Sequence, residues 1–203
     1  MGADAPPQNN VAAEESPQSR APSAFIRLLG RLERSTGLDP VVRGVEPFAG
    51  RIVAHERLRR VLHGEATGIP LHIISTDLPL GAWWMAQFLD LFPDDGMRRA
   101  STRLVGLGVV AALPTALTGW AEWARADRGT RRVGIVHATA NGVATLVFLG
   151  SWTARSRSRH DLGVWLSRLG GVVLLVGAMC GGYMRSDRPA VPDAGHAGHV
   201  AKP

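Results

Sequence analysis

The sequence has only one cysteine, Cys180, and only one lysine, Lys202. A single thiol cannot form a disulfide within the chain, and it cannot supply the several thiolates that cysteine-based zinc and iron–sulfur sites require. The positive charge therefore comes almost wholly from arginine, and the arginines lie in groups between apolar runs. The chain also lacks a basic stripe with interleaved aromatic residues. This pattern favours anionic lipid headgroups over nucleic acid as a partner.

Two further absences narrow the possible functions. The first residues, MGADAPPQNNVAAEESPQS, lack the basic start and the apolar stretch of a secretory signal peptide. Their composition predicts disorder over residues 1–23, and disorder is also predicted for the tail, residues 185–203. No nucleophile and base occur in a recognisable motif, so nothing supports hydrolytic or other covalent catalysis. The sequence therefore favours a non-catalytic protein over an enzyme.

Long apolar runs dominate the chain between residues 71 and 184. The four runs are residues 71–92, 102–124, 132–153 and 162–184. Each has 22 or 23 residues, and about 20 helical residues cross the hydrocarbon core of a bilayer. Trp123, Trp152 and Trp165 lie near the ends of runs, where indole rings prefer the headgroup level. The pattern predicts an all-α fold, an integral membrane four-helix bundle in a lipid bilayer, with a polar and partly disordered N-terminal extension.

Arginine also indicates the orientation of this bundle. Eleven arginine and lysine residues flank the end that both termini share, and seven flank the other end. This bias predicts a bacterial inner-membrane protein with both termini in the cytoplasm.

Residues 24–70 would then form a cytoplasmic extension. The segment AFIRLLGRLERS places Phe25, Leu28 and Leu32 at helical spacing with arginines between them. A helix on the membrane surface, a helix packed on another chain and an unstructured segment all remain open for it.

Polar residues gather at one end of the predicted bundle. They are His72, Asp77, Thr118, Glu122, His137, Asn141, Thr145 and Tyr183. His137, Asn141 and Thr145 recur every four residues and therefore share one helix face. Ionisable groups at membrane depth are costly, so they usually face inward and pair with one another. The spacing predicts a polar cluster at the cytoplasmic end.

Asp77 is the residue of this cluster for which the sequence leaves the most roles open. It is suited to cap a helix that starts just after it, with Pro79 in the first turn. Alternatively, the helix begins near His72 and bends at Pro79, with Ser75 or Thr76 satisfying the backbone that proline frees. A purely structural role, a cofactor or quinone site, and proton or ion handling all remain open. In the structural case we expect Asp77 to contact His137.

Four spaced elements occur in order between residues 58 and 186. They are Gly-x-Pro-Leu-His, Asp-x-Pro-x-Gly-x-Trp, Thr-Gly-x-x-Glu-Trp and Arg-x-Gly-x-x-His-x-x-x-Asn. This stretch resembles a family of uncharacterised bacterial four-helix membrane proteins, a domain of unknown function often adjacent or fused to Rieske iron–sulfur domains. The family pattern falls on His72, Asp77, Pro79, Gly81, Glu122, Trp123, His137 and Asn141. Ile69 and Tyr183 stand where the family commonly has histidine, which weakens a multi-haem interpretation.

The resemblance implies a redox setting. The leading prediction is a non-catalytic membrane component or anchor of an electron-transfer assembly with a Rieske-type partner. The alternative is direct binding of haem b or quinone by His72 and His137, with Asp77 and Asn141 orienting the imidazoles. A small proton or ion transporter is a third possibility. It is disfavoured because no inverted repeat or carboxylate relay is evident.

Overall fold

The computed structural model describes residues 23–65, 68–92 and 94–186, and the regular structure in these residues is helical. The α-helices are α1 (Ala24–Arg34), α2 (Asp39–Val53), α3 (Glu56–Leu62), α4 (Leu71–Leu89), α5 (Asp95–Arg125), α6 (Arg128–Ser156) and α7 (His160–Arg185). A short 3-10 helix, Thr36–Leu38, joins α1 to α2. The predicted all-α class is confirmed. The segments predicted to be disordered lie outside the described residues, except at their inner ends.

Helices α5 and α6 begin before their apolar runs because capping side chains, and not apolar length, determine where these two helices begin. The Asp94 carboxylate accepts a hydrogen bond from the Met97 amide at 3.0 Å, which starts α5. The Asp127 carboxylate likewise accepts from the Thr130 amide at 3.0 Å and starts α6. Such caps satisfy amide groups that have no partner within the helix. As a result α5 and α6 have 31 and 29 residues.

Three helices are long and apolar enough to cross a membrane, namely α5, α6 and α7. The predicted count of four spans is therefore not confirmed, because α4 is not among them. Polar side chains account for the difference, since α4 has only 19 residues and several of them are polar. They are His72, Ser75, Thr76, Asp77 and Gln87.

The four long helices form two hairpins, α4–α5 and α6–α7. Contacts are most extensive within each hairpin, and the two hairpins meet mainly through α5 and α6. Three pairs of side chains join α4 to α6 across the centre of the bundle. The pairs are His72 with His137, Trp83 with Phe148, and Asp90 with Arg155. In each pair the α6 residue lies 65 positions after its α4 partner, so the two helices run parallel in one register.

This register has a simple helical basis. His72 and Asp90 are 18 positions apart, and 18 residues make about five turns at 3.6 residues per turn. Trp83, 11 positions after His72, falls on the same face. The three contacts therefore lie along one line, and the outer two are separated by about 27 Å of helix at 1.5 Å per residue. That length is close to the roughly 30 Å of a hydrocarbon core.

The middle contact depends on glycine in α5. The Trp83 and Phe148 rings stack with centroids 4.2 Å apart, and Trp83 Nε1 donates to the Val105 carbonyl at 3.3 Å. A Cβ atom at Gly108 would lie 2.4 Å from Trp83 Nε1, and one at Gly106 would lie 2.8 Å from the Trp152 ring. Glycine therefore lets α4 and α6 pack closely on α5, as small residues do in membrane bundles.

Helix α1 packs on the end of the bundle of its own chain. The sequence left open a helix on the membrane surface, a helix packed on another chain and an unstructured segment, and none of these describes the observed packing. Leu29, 1% exposed, contributes to a cluster with Val133 and Tyr183. The Tyr183 hydroxyl donates to a Glu33 carboxylate oxygen at 2.7 Å. The apolar face of α1 is thus buried against α6 and α7, which removes that surface from water.

Ion pairs add to this docking. Arg132, the fifth residue of α6, donates to both Asp39 carboxylate oxygens at 2.7 and 3.1 Å and to the Glu33 carbonyl at 2.9 Å. Arg131 pairs with Glu46 at 2.9 Å. The hydrogen bond from Arg132 holds the pKa of the Asp39 carboxyl below its ordinary value, because it stabilises the ionised form. The extension and the bundle are therefore joined by both apolar and charged contacts.

Candidate functional site

The two histidines that the sequence predicted as cofactor ligands lie next to each other. His72 is in the first turn of α4 and His137 is in the third turn of α6. Their ring centroids are 6.5 Å apart and their planes are nearly perpendicular, at 86°. Both side chains are half-buried between the hairpins. The structure therefore brings two imidazoles together at one end of the bundle, while binding itself stays a prediction.

Backbone carbonyls determine which nitrogen of each ring is protonated. His72 Nδ1 lies 3.1 Å from the Thr115 carbonyl oxygen, and His137 Nδ1 lies 2.8 Å from that of Gly177. A carbonyl oxygen can only accept, so Nδ1 of each ring carries the hydrogen. In a neutral imidazole the Nε2 atom then holds a lone pair. Both rings are thus oriented as metal-ligating histidines are, with the second nitrogen bonded to a carbonyl.

Asn141 lies beside His137, as the helical spacing predicted. Its side-chain Nδ2 is 3.1 Å from His137 Nε2 and 3.0 Å from the His137 carbonyl oxygen. The amide nitrogen is also 3.3 Å from His137 Nδ1, so it lies over the face of the ring. Thr145 shares the face, but its hydroxyl donates to the Asn141 carbonyl at 2.8 Å, a bond within α6. Of these two residues, only Asn141 contacts the imidazole.

Hydroxyl groups from α4 and α5 surround His72. Thr118 Oγ1 lies 3.2 Å from His72 Nδ1 and 3.0 Å from Ser75 Oγ. Pro79 has no amide hydrogen, so it leaves the Ser75 carbonyl without its usual partner in the helix. The Thr115 hydroxyl lies 2.8 Å from that carbonyl. Ser75 and Thr76, the hydroxyls predicted to satisfy the freed group, donate instead to the carbonyls of His72 and Ile73. That prediction is therefore wrong, and a hydroxyl of α5 takes this place.

Asp77 does not join this site. It is exposed on the outer side of α4, whereas His137 is bonded to Gly177 and Asn141. The predicted Asp77–His137 contact is therefore wrong. Five residues turn a helix by about 500°, so Asp77 points roughly 140° away from His72. The uninterrupted helix from Leu71 to Leu89 also rules out a helix that starts only after Asp77.

Glu122 and Tyr183 lie at the same end but contact the N-terminal extension. The Glu122 carboxylate is 2.9 Å from His63 Nδ1, and Tyr183 donates to Glu33. The predicted polar cluster is thus divided, with one part around the histidines and the other holding α1 and α3. The extension's His63 and Glu33 were the missing partners, and no local pattern connects them to residues so distant in the chain.

A second polar layer, which the sequence did not predict, closes the opposite end of the bundle. Arg155 is fully buried and donates to both Asp90 carboxylate oxygens, at 2.7 and 2.6 Å. It also donates to the hydroxyls of Ser101 at 2.9 Å, Ser151 at 3.1 Å and Ser167 at 3.3 Å. These five bonds match the five N–H groups of a guanidinium. One serine on each of α5, α6 and α7, buried in the structure, was the sequence feature that could have indicated this polar layer.

Among the described residues, no group of three or more His, Cys, Asp or Glu side chains is arranged to hold a metal ion. A metal site at the two histidines would therefore need further ligands that are not His, Cys, Asp or Glu side chains.

Comparison with known proteins shows which family the chain belongs to. The family described as predicted membrane protein, DUF2231, matches residues 68–188. The match covers more than half of the chain, so the protein belongs to this family of membrane proteins. It includes α4 to α7 and the site at His72 and His137. No curated protein and no solved structure matches the chain. The prediction of an uncharacterised membrane-protein family is confirmed, and association with Rieske domains stays a prediction.

Proposed function

We propose that this DUF2231 membrane protein is an electron-transfer component that carries haem b between His72 and His137. The distance between the two rings is the observation that supports this function. The centroids are 6.5 Å apart. Both rings also hold their hydrogen on Nδ1, the state in which Nε2 can ligate.

The number of imidazoles favours haem over a bare metal ion. Protein metal sites generally use three or four side-chain ligands. In haem the porphyrin would supply the remaining iron ligands, so His72 and His137 would be enough to hold it. Haem, when bound, supplies one-electron chemistry. The chain's own contribution is to hold two neutral imidazoles in fixed orientations, through the carbonyls of Thr115 and Gly177.

The packing indicates where haem would enter. The rings meet between the α4–α5 and α6–α7 hairpins, and contacts between hairpins are less extensive than contacts within them. The Asn141 amide lies over the His137 ring, 3.1 Å from Nε2 and 3.3 Å from Nδ1. Asn141 is thus a positioning residue that would help to hold this imidazole.

This proposal includes α4 as a fourth membrane span. Its support is the shared register with α6, because α4 runs parallel to a candidate span over about 27 Å of helix. The arginine bias supports a bacterial inner-membrane location with both termini in the cytoplasm. Reporter fusions after residues 65, 127 and 186, compared with fusions in the two opposite connections, test this topology. A periplasmic signal from the first group would contradict it.

Absorption spectroscopy of the full-length protein tests haem binding directly. The protein is expressed with a haem precursor, and we expect a Soret band that disappears in His72→Gln and in His137→Gln. His63→Gln is the matched control, since His63 is a buried histidine at the same end that pairs with Glu122. Colourless wild-type protein, or a Soret band retained in both ligand variants, would overturn the proposal.

The iron–sulfur partner stays a prediction. Affinity purification of the tagged chain with mass spectrometry of co-purifying proteins would test it. Recovery of a Rieske-type protein would support an electron-transfer assembly, independently of whether haem is bound.

A further inference from the structure

A cavity of about 290 Å³ lies at the end of the bundle opposite the histidines. It is bounded by the last turn of α4 and the segment after it, the first turn of α5 and the first turns of α7. Its lining combines apolar side chains with charged ones. The apolar residues are Leu89, Phe92, Val164 and Trp165, and the cations are Arg98 and Arg168. Because α5 and α7 are candidate spans that begin here, the cavity lies where lipid headgroups meet water.

The two arginines of this cavity are available to bind a ligand. In the part of the chain that the structure describes, neither Arg98 nor Arg168 has an ion-pair partner, and both are exposed. Of the two acids in the lining, Asp90 already binds Arg155 through both oxygens. The other, Asp161, is exposed in the first turn of α7. His160 also lines the cavity and is half-buried. The uncompensated charge is therefore positive.

An aromatic ring connects this charge to the apolar surface. The Arg168 guanidinium carbon lies 5.4 Å from the centroid of the Trp165 ring, a cation–π distance. Trp165 itself is 67% exposed, and Phe92 is 46% exposed. Indole rings prefer the interface of a bilayer, and guanidinium groups bind phosphate with paired hydrogen bonds. The cavity thus combines cationic groups with apolar rings.

We propose that this cavity binds the headgroup phosphate of an anionic phospholipid. Arg98 and Arg168 bind the phosphate oxygens, and the acyl chains lie along Phe92 and Trp165. Basic pockets between membrane helices bind anionic headgroups on the cytoplasmic side of membranes, and this cavity offers the same combination of groups at the opposite end of the bundle. The site is separate from the histidines and does not depend on haem binding.

Thermal unfolding of delipidated, full-length protein in detergent tests the site. We expect phosphatidylglycerol to raise the unfolding temperature of the wild type in a saturable way. Each basic side chain near an anionic lipid surface contributes about fivefold in binding. The half-saturating lipid concentration should therefore rise roughly 30-fold in Arg98→Gln/Arg168→Gln. Arg157→Gln/Arg159→Gln is the matched control, because it removes two exposed arginines at the same end outside the cavity.

Three outcomes would overturn the proposal. An equal response to phosphatidylcholine would mean that only the apolar surface binds. An equal response to inorganic phosphate would indicate a site for a free anion. Equal lipid sensitivity of the two double variants would remove the arginines from the site. If the cavity variant does not fold, brominated phosphatidylglycerol gives an independent measurement. It should quench a fluorescence component of the wild type that Trp165→Phe lacks, and identical quenching in the two proteins would count against the site.

Discussion

Removing one partner of the buried Asp90–Arg155 pair should destabilise the bundle more than removing any other single polar contact among the described residues. The Arg155 side chain is 0% exposed and that of Asp90 is 3% exposed. Asp90→Asn leaves a buried guanidinium without its counter-charge, and Arg155→Gln leaves a buried carboxylate with only the His160 imidazole nearby, at 3.9 Å. Removing one partner of a buried ion pair generally costs about 3–5 kcal/mol. We expect a loss in this range for each single variant.

The double variant Asp90→Asn/Arg155→Gln distinguishes a coupled pair from two independent residues. Its two neutral amides leave no buried charge, so its loss should fall short of the sum of the single losses by about 2–3 kcal/mol. The measurement is the free energy of unfolding in mixed detergent micelles, followed by tryptophan fluorescence. Ser167→Ala removes a bond of 3.3 Å to Arg155 and one of 3.0 Å to Ser151 but leaves no charge unpaired, so it should cost only about 1–2 kcal/mol. Losses that add within about 0.5 kcal/mol would refute the reasoning.

Two further predictions concern packing and pH. Gly108→Ala should destabilise the bundle by about 1–3 kcal/mol, because the new Cβ would lie 2.4 Å from Trp83 Nε1. Gly142→Ala, whose Cβ meets no atom within 4 Å, should not destabilise it in the same titration, and equal losses would contradict this account. The hydrogen bond from Arg132 lowers the pKa of the Asp39 carboxyl in the folded protein. Ionised Asp39 therefore favours docking of α2 at pH values above the ordinary carboxyl pKa of about 3.9. This contribution is lost as the pH falls through the lowered pKa of the folded state. Hydrogen exchange of α2 should therefore increase below about pH 4 in the wild type, whereas Asp39→Asn should show no such transition, and an identical pH profile in both proteins would be evidence against the pair.

Sequence reasoning located the long helices well because apolar length is a local property. It placed their ends less well, since Asp94 and Asp127 begin helices several residues before the apolar runs. Arg155 shows the consequence. The apolar run stops before it, so it was assigned to a loop, yet α6 continues through it and buries it.

The site was predictable to the extent that helical geometry alone determines it. His72 and His137 were expected at one end, and the structure places their rings together. The same angular argument, applied strictly, already separates Asp77 from His72, so that error was avoidable. The partners of Glu122 and Tyr183 were not predictable, because they come from α3 and α1. Contacts between residues so far apart in the chain depend on the tertiary fold, which no local spacing reveals.

The common 65-residue register has a mechanical consequence. Because α4 contacts α6 at both ends and in the middle, it cannot slide or rotate at one end of the bundle without disturbing the other contacts. Removing one residue, such as Met85, between Trp83 and Asp90 would rotate Asp90 by about 100° relative to Trp83 and shorten the helix by about 1.5 Å. No single placement of α4 would then satisfy both ends. The three contacts thus fix both the length and the rotation of the segment between His72 and Asp90, which are about 27 Å apart.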